Sequence, residues 1–254
     1  MDIIDAIDKR ISCRAFTDEP LDAPTLDALK AKVEELNKQS GLHFQIYGPD
    51  SEGFVISMNR AMFAGDPPAY AALVGPTGDI EEEKLGYFGE ALVLYATELG
   101  LGTCWVASTY DKATTRVELA SGEELHDVVP IGFAPEKMPF KQRTIRNTIR
   151  RKSKKLSDLF EGPMPLDQAP EWIQACIDAV WKAPSAINMQ PVKFTWEGEG
   201  TPVKAVIAPE RTRLEPTDLG IAKYHFKVVA DLCGVHGTWE WGNGGAYVLD
   251  TPSA

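Results

Sequence analysis

The 254-residue chain has few cysteines and histidines, and neither residue type forms a recognisable ligand pattern. The four cysteines, Cys13, Cys104, Cys176 and Cys233, are scattered without a Cys-x-x-Cys pair. This spacing argues against a disulfide framework and against a structural zinc or iron–sulfur site, and it suits the reducing cytoplasm. The four histidines are equally dispersed, so we interpret each as an ordinary surface or core residue. We therefore expect no bound metal.

The sequence also lacks long hydrophobic runs. No apolar run approaches the roughly 18 residues that a membrane-spanning helix requires. The first residues, Met-Asp-Ile-Ile-Asp, lack the basic and hydrophobic regions of a secretory signal peptide. We therefore expect a cytoplasmic protein without a membrane partner. With 44% hydrophobic and 25% charged residues, a chain of this length can bury a full core in one or two domains.

The net charge is −11, but the basic residues are concentrated in one segment. Residues 137–155 contain nine lysines and arginines and no acidic residue. Such a run is typical of a solvated linker face or of a nucleic-acid-binding patch. Because the chain is acidic overall and has no recognisable DNA- or RNA-binding fold, we expect no nucleic-acid partner.

A polar stretch, residues 183–194, reads Ala-Pro-Ser-Ala-Ile-Asn-Met-Gln-Pro-Val-Lys-Phe. Pro184 and Ser185 predict the end of the preceding apolar helix, and Asn188 and Gln190 lead into a strand-like segment. A polar corner of this kind can present a side-chain amide and backbone groups to a flat heteroaromatic ring whose edge carries donors and acceptors. The alternative interpretation is a helix end followed by an ordinary turn.

A second motif, Lys-Arg-Ile-Ser-Cys-Arg-Ala-Phe, spans residues 9–16, directly after a short amphipathic segment. Arg10, Ser12 and Arg14 alternate with Ile11 and Cys13. In an extended conformation the two arginines and the serine therefore share one face, where they can bind a phosphate group.

Together the two stretches resemble the FMN-dependent nitroreductase family. In that family an Arg-x-Ser-x-Arg/Lys element binds the flavin phosphate and ribityl chain, and a Pro-Ser-x-x-Asn-x-Gln-Pro element packs beside the isoalloxazine ring. In the usual member both elements lie near the N-terminus with one helix between them, whereas here they lie in opposite halves of the chain. The resemblance implies a cofactor site that contains Arg10, Ser12, Arg14, Pro184, Ser185, Asn188 and Gln190.

An internal repeat accounts for this separation. Each half of the sequence predicts a helix, two strands, a long helix and then Gly-x-x-x-x-Trp. Chance or shared helix composition is the alternative, but the ordered recurrence of all the elements favours duplication. At a shift of 134 residues, Leu85-Gly86 falls on Leu219-Gly220, Ala96 on Ala230, Gly100 on Gly234 and Trp105 on Trp239.

The resemblance and the repeat together predict an α+β, nitroreductase-like fold built as an internal pseudo-dimer of two three-layer α/β/α half-domains. We expect the first half-domain at residues 1–160 and the second at 161–254. Typical family members are homodimers in which the partner subunit lends the Pro-Ser-x-x-Asn corner. Residues 39–44 of the first half lack the Pro, the Asn and the Gln-Pro of that corner. We therefore expect one composite site, one FMN per chain and a monomer.

Two further segments match the family. In relatives, a basic stretch after the last core strand completes the phosphate site, and here it corresponds to the residues before Leu156. The spacing does not decide which of them point inward, and residues 151–155 can also be interpreted as a relic of the Arg-x-Ser-x-Arg element. After a helix, Gly100 predicts the C-cap and Gly102 a tight turn, beyond which relatives offer a backbone N–H to flavin N5. The added candidates are Ala107, Ser108, Arg150, Arg151, Lys152 and Lys154.

The sequence shows no catalytic Ser, His, Asp or metal constellation, and a flavin enzyme needs none because the cofactor carries the chemistry. The resemblance implies an FMN-dependent NAD(P)H oxidoreductase that passes hydride through flavin N5 to a nitroaromatic, a quinone or a similar small acceptor. It does not distinguish NADH from NADPH. The main alternative is a flavin-binding carrier or sensor without turnover. Other flavin chemistry on this fold, such as reductive dehalogenation or flavin fragmentation, is a further alternative.

Overall fold

The computed structural model describes residues 1–48, 63, 66–107, 117–137, 139, 152–208 and 213–250. These residues combine helices with two sheets, which confirms the α+β class. The helices are α1 (Ile3–Lys9), α2 (Ala23–Ser40), α3 (Asp79–Glu98), α4 (Glu171–Lys182) and α5 (Glu215–Leu232). The strands are β1 (Gln45–Tyr47), β2 (Ala69–Pro76), β3 (Gly102–Thr103), β4 (Glu123–Gly132), β5 (Phe160–Glu161), β6 (Val192–Thr195), β7 (Val203–Ile207), β8 (Gly237–Trp239) and β9 (Ala246–Leu249).

The first sheet has the strand order β1-β2-β4-β3, and the second has the order β5-β6-β7-β9-β8. The described strand pairs of the first sheet, β1 with β2, β2 with β4 and β3 with β4, are antiparallel. In the second sheet β5 pairs with β6 in parallel, and the remaining described pairs are antiparallel. Among the described helices, none is both long and apolar enough to cross a membrane.

Contacts between Cα atoms divide the chain into two compact units. The first consists of Met1–Glu81 and Ala91–Arg150, and the second of Glu82–Glu90 and Arg151–Ala254. The contacts thus group the middle of α3 and the residues from 151 onward with the second unit. The boundary between the two half-domains, expected after residue 160, stays a prediction.

The core of the first unit lies around strand β2. Its residues from Ala69 to Gly75 are all buried, as expected of a central strand that is covered on both faces. Helix α2 buries Leu29, Val33 and Leu36, which lie at helical spacing on one stripe. The helix begins after Asp22, whose side chain accepts a hydrogen bond from the Thr25 N–H, 2.9 Å away.

The core of the second unit is aromatic. The Phe194 and Phe226 rings stack with centroids 5.1 Å apart and planes 4° from parallel. Trp239 and Tyr247 pack edge-on against Phe226, with centroids at 5.1 and 5.3 Å. Strands β6, β8 and β9 therefore meet helix α5 through four large rings.

The middle of α3 crosses α5 at very short range within the second unit. A methyl group at Gly86 would lie 2.0 Å from the Thr217 carbonyl oxygen, and one at Gly220 would lie 1.8 Å from the Glu83 carbonyl oxygen. Two glycines therefore allow the helix backbones to touch. The fully buried Lys223 ammonium donates to the Glu83 carboxylate, so a buried ion pair joins the same two segments.

Candidate cofactor site

The polar corner lies between α4 and β6, as the sequence predicts. Ala183 leaves the helical conformation (φ −58°, ψ 142°) because the following Pro184 disfavours a helical residue before it. Ser185 is extended, and a short 3₁₀ turn spans Ala186–Asn188 before β6 begins at Val192. The predicted order of helix end, corner and strand is confirmed.

The corner holds an unusual backbone. Ile187, Asn188 and Gln190 have φ values of 44°, 58° and 45°, in the left-handed region that favours glycine. Each such residue costs about 1–3 kcal/mol, and the conformation is rarest for β-branched side chains such as isoleucine. Ile187 is also 53% exposed, so burial of its side chain does not offset this cost. Backbone strain of this kind persists only where neighbouring bonds fix it, and it is typical of ligand-binding positions.

Hydrogen bonds from three directions fix the corner. The Ser185 Oγ accepts from the Gln190 N–H at 2.9 Å, which closes the turn on itself. The buried Gln190 side chain donates its Nε2 to the Trp181 carbonyl at 2.9 Å. The Ala186 N–H donates to the Asp218 carboxylate, with distances of 3.0 Å to Oδ1 and 3.2 Å to Oδ2. The strained turn is therefore held by α4, by α5 and by its own serine.

The basic segment lies directly against the corner. The Lys154 N–H donates to the Gln190 Oε1 at 2.8 Å, and the Lys154 carbonyl accepts from the Trp181 indole N–H at 2.8 Å. The Asn188 Nδ2 donates to the Ser153 Oγ at 3.3 Å. The basic segment thus contacts the corner within the second unit, a contact that the sequence did not predict. Lys152 is exposed and the side chain of Lys154 is half-buried, whereas Arg150 and Arg151 lie outside the described residues.

Both ends of the Gln190 amide are occupied by groups of the chain itself. Its Oε1 and Nε2 serve Lys154 and Trp181, so this side chain builds the corner by joining the basic segment to the end of α4. The Asn188 amide is half-buried in the same turn. That Pro184, Ser185, Asn188 and Gln190 lie beside a flavin ring stays a prediction.

The Arg-x-Ser-x-Arg element lies in the first unit, directly after α1. Ser12 forms a parallel bridge with Thr103, and the Cys13 N–H donates to the Thr103 carbonyl at 2.7 Å. Arg10, Ser12 and Arg14 are half-exposed while Cys13 is buried. Ile11 is 41% exposed, so the alternation predicted from the sequence holds around Cys13 but not at Ile11. That Arg10, Ser12 and Arg14 share one face stays a prediction.

The charges of this element influence the pKa of a neighbouring thiol, Cys104. Burial raises the pKa of Cys104, and the positive charges of Arg14 and Arg10, together with a hydrogen bond to Ser12, oppose that rise. The two arginines and the serine therefore all influence the pKa of the same thiol. A phosphate dianion is the kind of ligand that such a combination binds.

The glycine turn after α3 packs against this element. The C-cap of α3 is Leu99, so Gly100, predicted as the cap, lies one residue beyond it. Gly100 has φ 84°, and its N–H donates to the Thr97 carbonyl. A methyl group at Gly102 would lie 2.8 Å from the Cys13 Sγ, so glycine is needed here for close packing of β3. Ala107 is half-exposed, and Ser108 lies outside the described residues.

The corresponding position in the first half is an ordinary helix end. Helix α2 stops at Gly41, the left-handed residue with φ 73°, whose N–H donates to the Asn37 carbonyl. The Asn37 side chain donates to the Phe44 carbonyl and accepts from the Phe44 N–H, at 2.9 and 2.8 Å. One glycine thus supplies the turn that the second half makes with three strained residues.

Asp218 and Trp181 are site residues that sequence reasoning missed. Asp218 is 4% exposed and contacts the corner from α5, and Trp181 contacts it from the last turn of α4. The available signal was a carboxylate next to the apolar Leu219-Gly220-Ile221, on the buried side of a predicted helix. Within the described residues, no group of three or more His, Cys, Asp or Glu side chains could hold a metal ion.

Comparisons with known proteins agree on one family. The family model described as "Putative TM nitroreductase" matches residues 2–230. A solved structure of a putative nitroreductase from Thermotoga maritima MSB8 is 24% identical, with a TM-score of 0.66, and the match covers 98% of this chain and 93% of that one. This likeness shows the fold. The search of curated proteins found no match.

Other solved structures match about half of the chain. A nitroreductase with bound FMN from Bacteroides fragilis NCTC 9343 is 15% identical, with a TM-score of 0.42, over 55% of this chain and 92% of that one. A mutant of an FMN- and NADPH-dependent nitroreductase from Sphigopyxis sp. strain HMH is 19% identical, with a TM-score of 0.42, over 56% of this chain and 92% of that one.

Proposed function

Because the chain belongs to the nitroreductase family whose model matches residues 2–230, we propose that it is an FMN-dependent NAD(P)H oxidoreductase. The observation that carries the proposal is the strained corner at Ile187, Asn188 and Gln190, held against the basic segment at Lys154. A fold maintains such backbone strain where the resulting shape serves a ligand.

The residues present fit FMN. The corner offers an exposed apolar side chain, Ile187, and an amide, Asn188, which suit the flat face and the polar edge of a flavin ring. Arg10, Ser12 and Arg14 are suited to the phosphate, since two guanidinium groups and a hydroxyl complement a dianion. Lys152 and Lys154 add positive charge beside the corner.

Bound FMN would supply the redox chemistry, taking up hydride from NADH or NADPH and passing it to a nitroaromatic, a quinone or a similar small acceptor. The residues of the chain bind and orient the cofactor. The corner fixes the backbone beside the ring, and the cationic side chains neutralise the phosphate. Since no separate catalytic group is required, we assign no catalytic residue.

The test has two stages. The purified chain, reconstituted with FMN and passed through a desalting column, should retain a visible flavin spectrum. The loaded protein should then oxidise NADH or NADPH in steady state when a nitroaromatic or a quinone is present. Loss of FMN on the column would contradict the proposal. Retained FMN without NAD(P)H oxidation would instead identify a flavin carrier or sensor.

A further inference from the structure

We propose that Asp218 is a positioning residue for the cofactor, because its carboxylate holds the Ala186 N–H and thereby fixes the left-handed corner. The inference rests on the proposed FMN function and assigns a role to a residue outside the family's motif. Asp218 is 4% exposed, and both of its carboxylate oxygens lie within 3.2 Å of the Ala186 nitrogen.

The position of this bond explains its effect. Ala186 directly precedes Ile187, the first of the left-handed residues, so an anchored Ala186 N–H fixes the peptide plane at which the strained turn begins. At the other end, Gln190 is fixed by the Ser185 hydroxyl and by the basic segment. Asn188 lies between these two fixed points. Its direction is therefore set by groups that themselves need not touch the cofactor.

Asp218 is itself held in place by the packing of α5. Asp218 lies in the first turn of α5, and its N–H donates to the Leu214 carbonyl at 3.0 Å. The preceding residue, Thr217, is the one whose carbonyl lies against Gly86. Because the helix backbones touch at this point, the start of α5 cannot shift without breaking the close crossing. The carboxylate thus holds the exposed turn in a fixed position relative to a packed helix.

The chemistry of the anchor also suits the role. A hydrogen bond to an ionised carboxylate is roughly twice as strong as one between neutral groups. A negative charge in the first turn of a helix is further favoured by the helix dipole. A small cavity borders the carboxylate and is also lined by Pro184, Ser185 and Gln190, so truncation of Asp218 would enlarge an existing gap.

The experiment compares Asp218→Asn and Asp218→Ala with Asp231→Asn, the same change made farther along α5. The dissociation constant of FMN is measured by flavin fluorescence, well below the unfolding temperature of every variant. Asp218→Ala should raise it about ten- to a hundredfold, the effect of losing a hydrogen bond to a charged group. Asp218→Asn retains a neutral acceptor and should raise it by less than about tenfold. Asp231→Asn should leave it unchanged.

The outcomes separate this inference from the proposed function. If the wild-type chain does not bind FMN, the proposed function fails and the inference falls with it. If the wild type binds and Asp218→Ala binds equally well, the inference is wrong and the function stands. Equal weakening by Asn and Ala would also overturn it, because the acceptor would not be the cause. If Asp218→Ala does not fold, the hydrogen-exchange rate of the Ala186 amide is measured in Asp218→Asn instead. An exchange rate equal to that of the wild type would overturn the proposal.

Discussion

Gly86 and Gly220 are 134 positions apart in the sequence, and each contacts a backbone carbonyl of the helix that carries the other. Their contact partners, Thr217 and Glu83, are separated by the same 134 positions. A shift of 134 positions relates Gly86 to Gly220 and Glu83 to Thr217. Each contact therefore has a counterpart in which the two helices exchange roles, which is the pattern of a self-complementary twofold interface. This reciprocity supports an internal duplication in which a former subunit contact became a contact within one chain.

The glycine crossing should be intolerant of any side chain. We expect Gly86→Ala and Gly220→Ala each to lower the free energy of unfolding by several kcal/mol, because a methyl group would lie 2.0 or 1.8 Å from a carbonyl oxygen. Denaturant unfolding followed by circular dichroism measures the change. Gly48→Ala is the matched control, since its methyl group would meet only the flexible end of the Leu26 side chain at 3.1 Å. Equal effects at Gly48 and Gly86 would contradict the crossing.

The Arg-x-Ser-x-Arg element should govern FMN affinity. We expect Arg10→Ala and Arg14→Ala each to weaken FMN binding by about one to two decades, because removing a charged partner from such a site costs about 1.5–3 kcal/mol. A fluorescence titration with FMN gives both dissociation constants. Lys9→Ala is the control, because it removes a neighbouring positive charge that pairs with Asp5 at 3.1 Å. Folded arginine variants that bind FMN as tightly as wild type would refute the assignment.

Local signals in the sequence predicted the elements around the site but not what holds them. Pro184 and the alternation around Ser12 determine chain direction over a few residues, so a helix end and an extended segment could be predicted. The bond between Asp218 and Ala186 spans 32 residues, and nothing local requires it. The left-handed φ of Ile187 was equally unpredictable, because isoleucine by itself disfavours that conformation.

The stability of the first unit in acid should depend on His43. A hydrogen bond from His43 Nδ1 to the Glu123 carboxylate at 2.9 Å, aided by the Ala120 N–H, holds the pKa of Glu123 below its usual 4.5. A carboxyl with a lowered folded pKa stabilises the fold above its unfolded pKa, and the contribution is lost as the pH falls through the folded pKa. His43→Ala should therefore raise the pKa of Glu123 and move acid unfolding to a higher pH.

Carboxyl NMR titration measures the pKa of Glu123, and circular dichroism against pH gives the unfolding midpoint. His236→Ala is a suitable control because His236 is exposed and pairs with Asp231 in the second unit. If His43→Ala leaves the pKa of Glu123 where it was, the hydrogen bond is not its cause.

A single thiol should react rapidly with an aromatic disulfide reagent in the native protein. Cys233 is exposed, whereas burial raises the pKa of each of the other three thiols, Cys13, Cys104 and Cys176. Burial and the raised pKa both slow the reaction of these three thiols with the reagent, because the attacking species is an accessible thiolate. Absorbance of the released thiolate should show one fast equivalent, four after unfolding, and none of the fast phase in Cys233→Ser. Two fast equivalents in the folded wild type would contradict the burial of the others.

Flavin stoichiometry tests the duplication together with the loss of one site. The first half turns at Gly41 with an ordinary helix end, whereas the second half has the strained corner at Asn188, so of these two described helix ends one carries a corner of the family type. Two intact half-domains could hold two flavins, but one corner should hold one. We therefore expect one FMN per chain, retained by a monomer, when flavin absorbance is compared with protein concentration across a light-scattering peak. Two flavins per chain, or flavin that is retained only by a dimer and lost on dilution, would overturn the pseudo-dimer hypothesis.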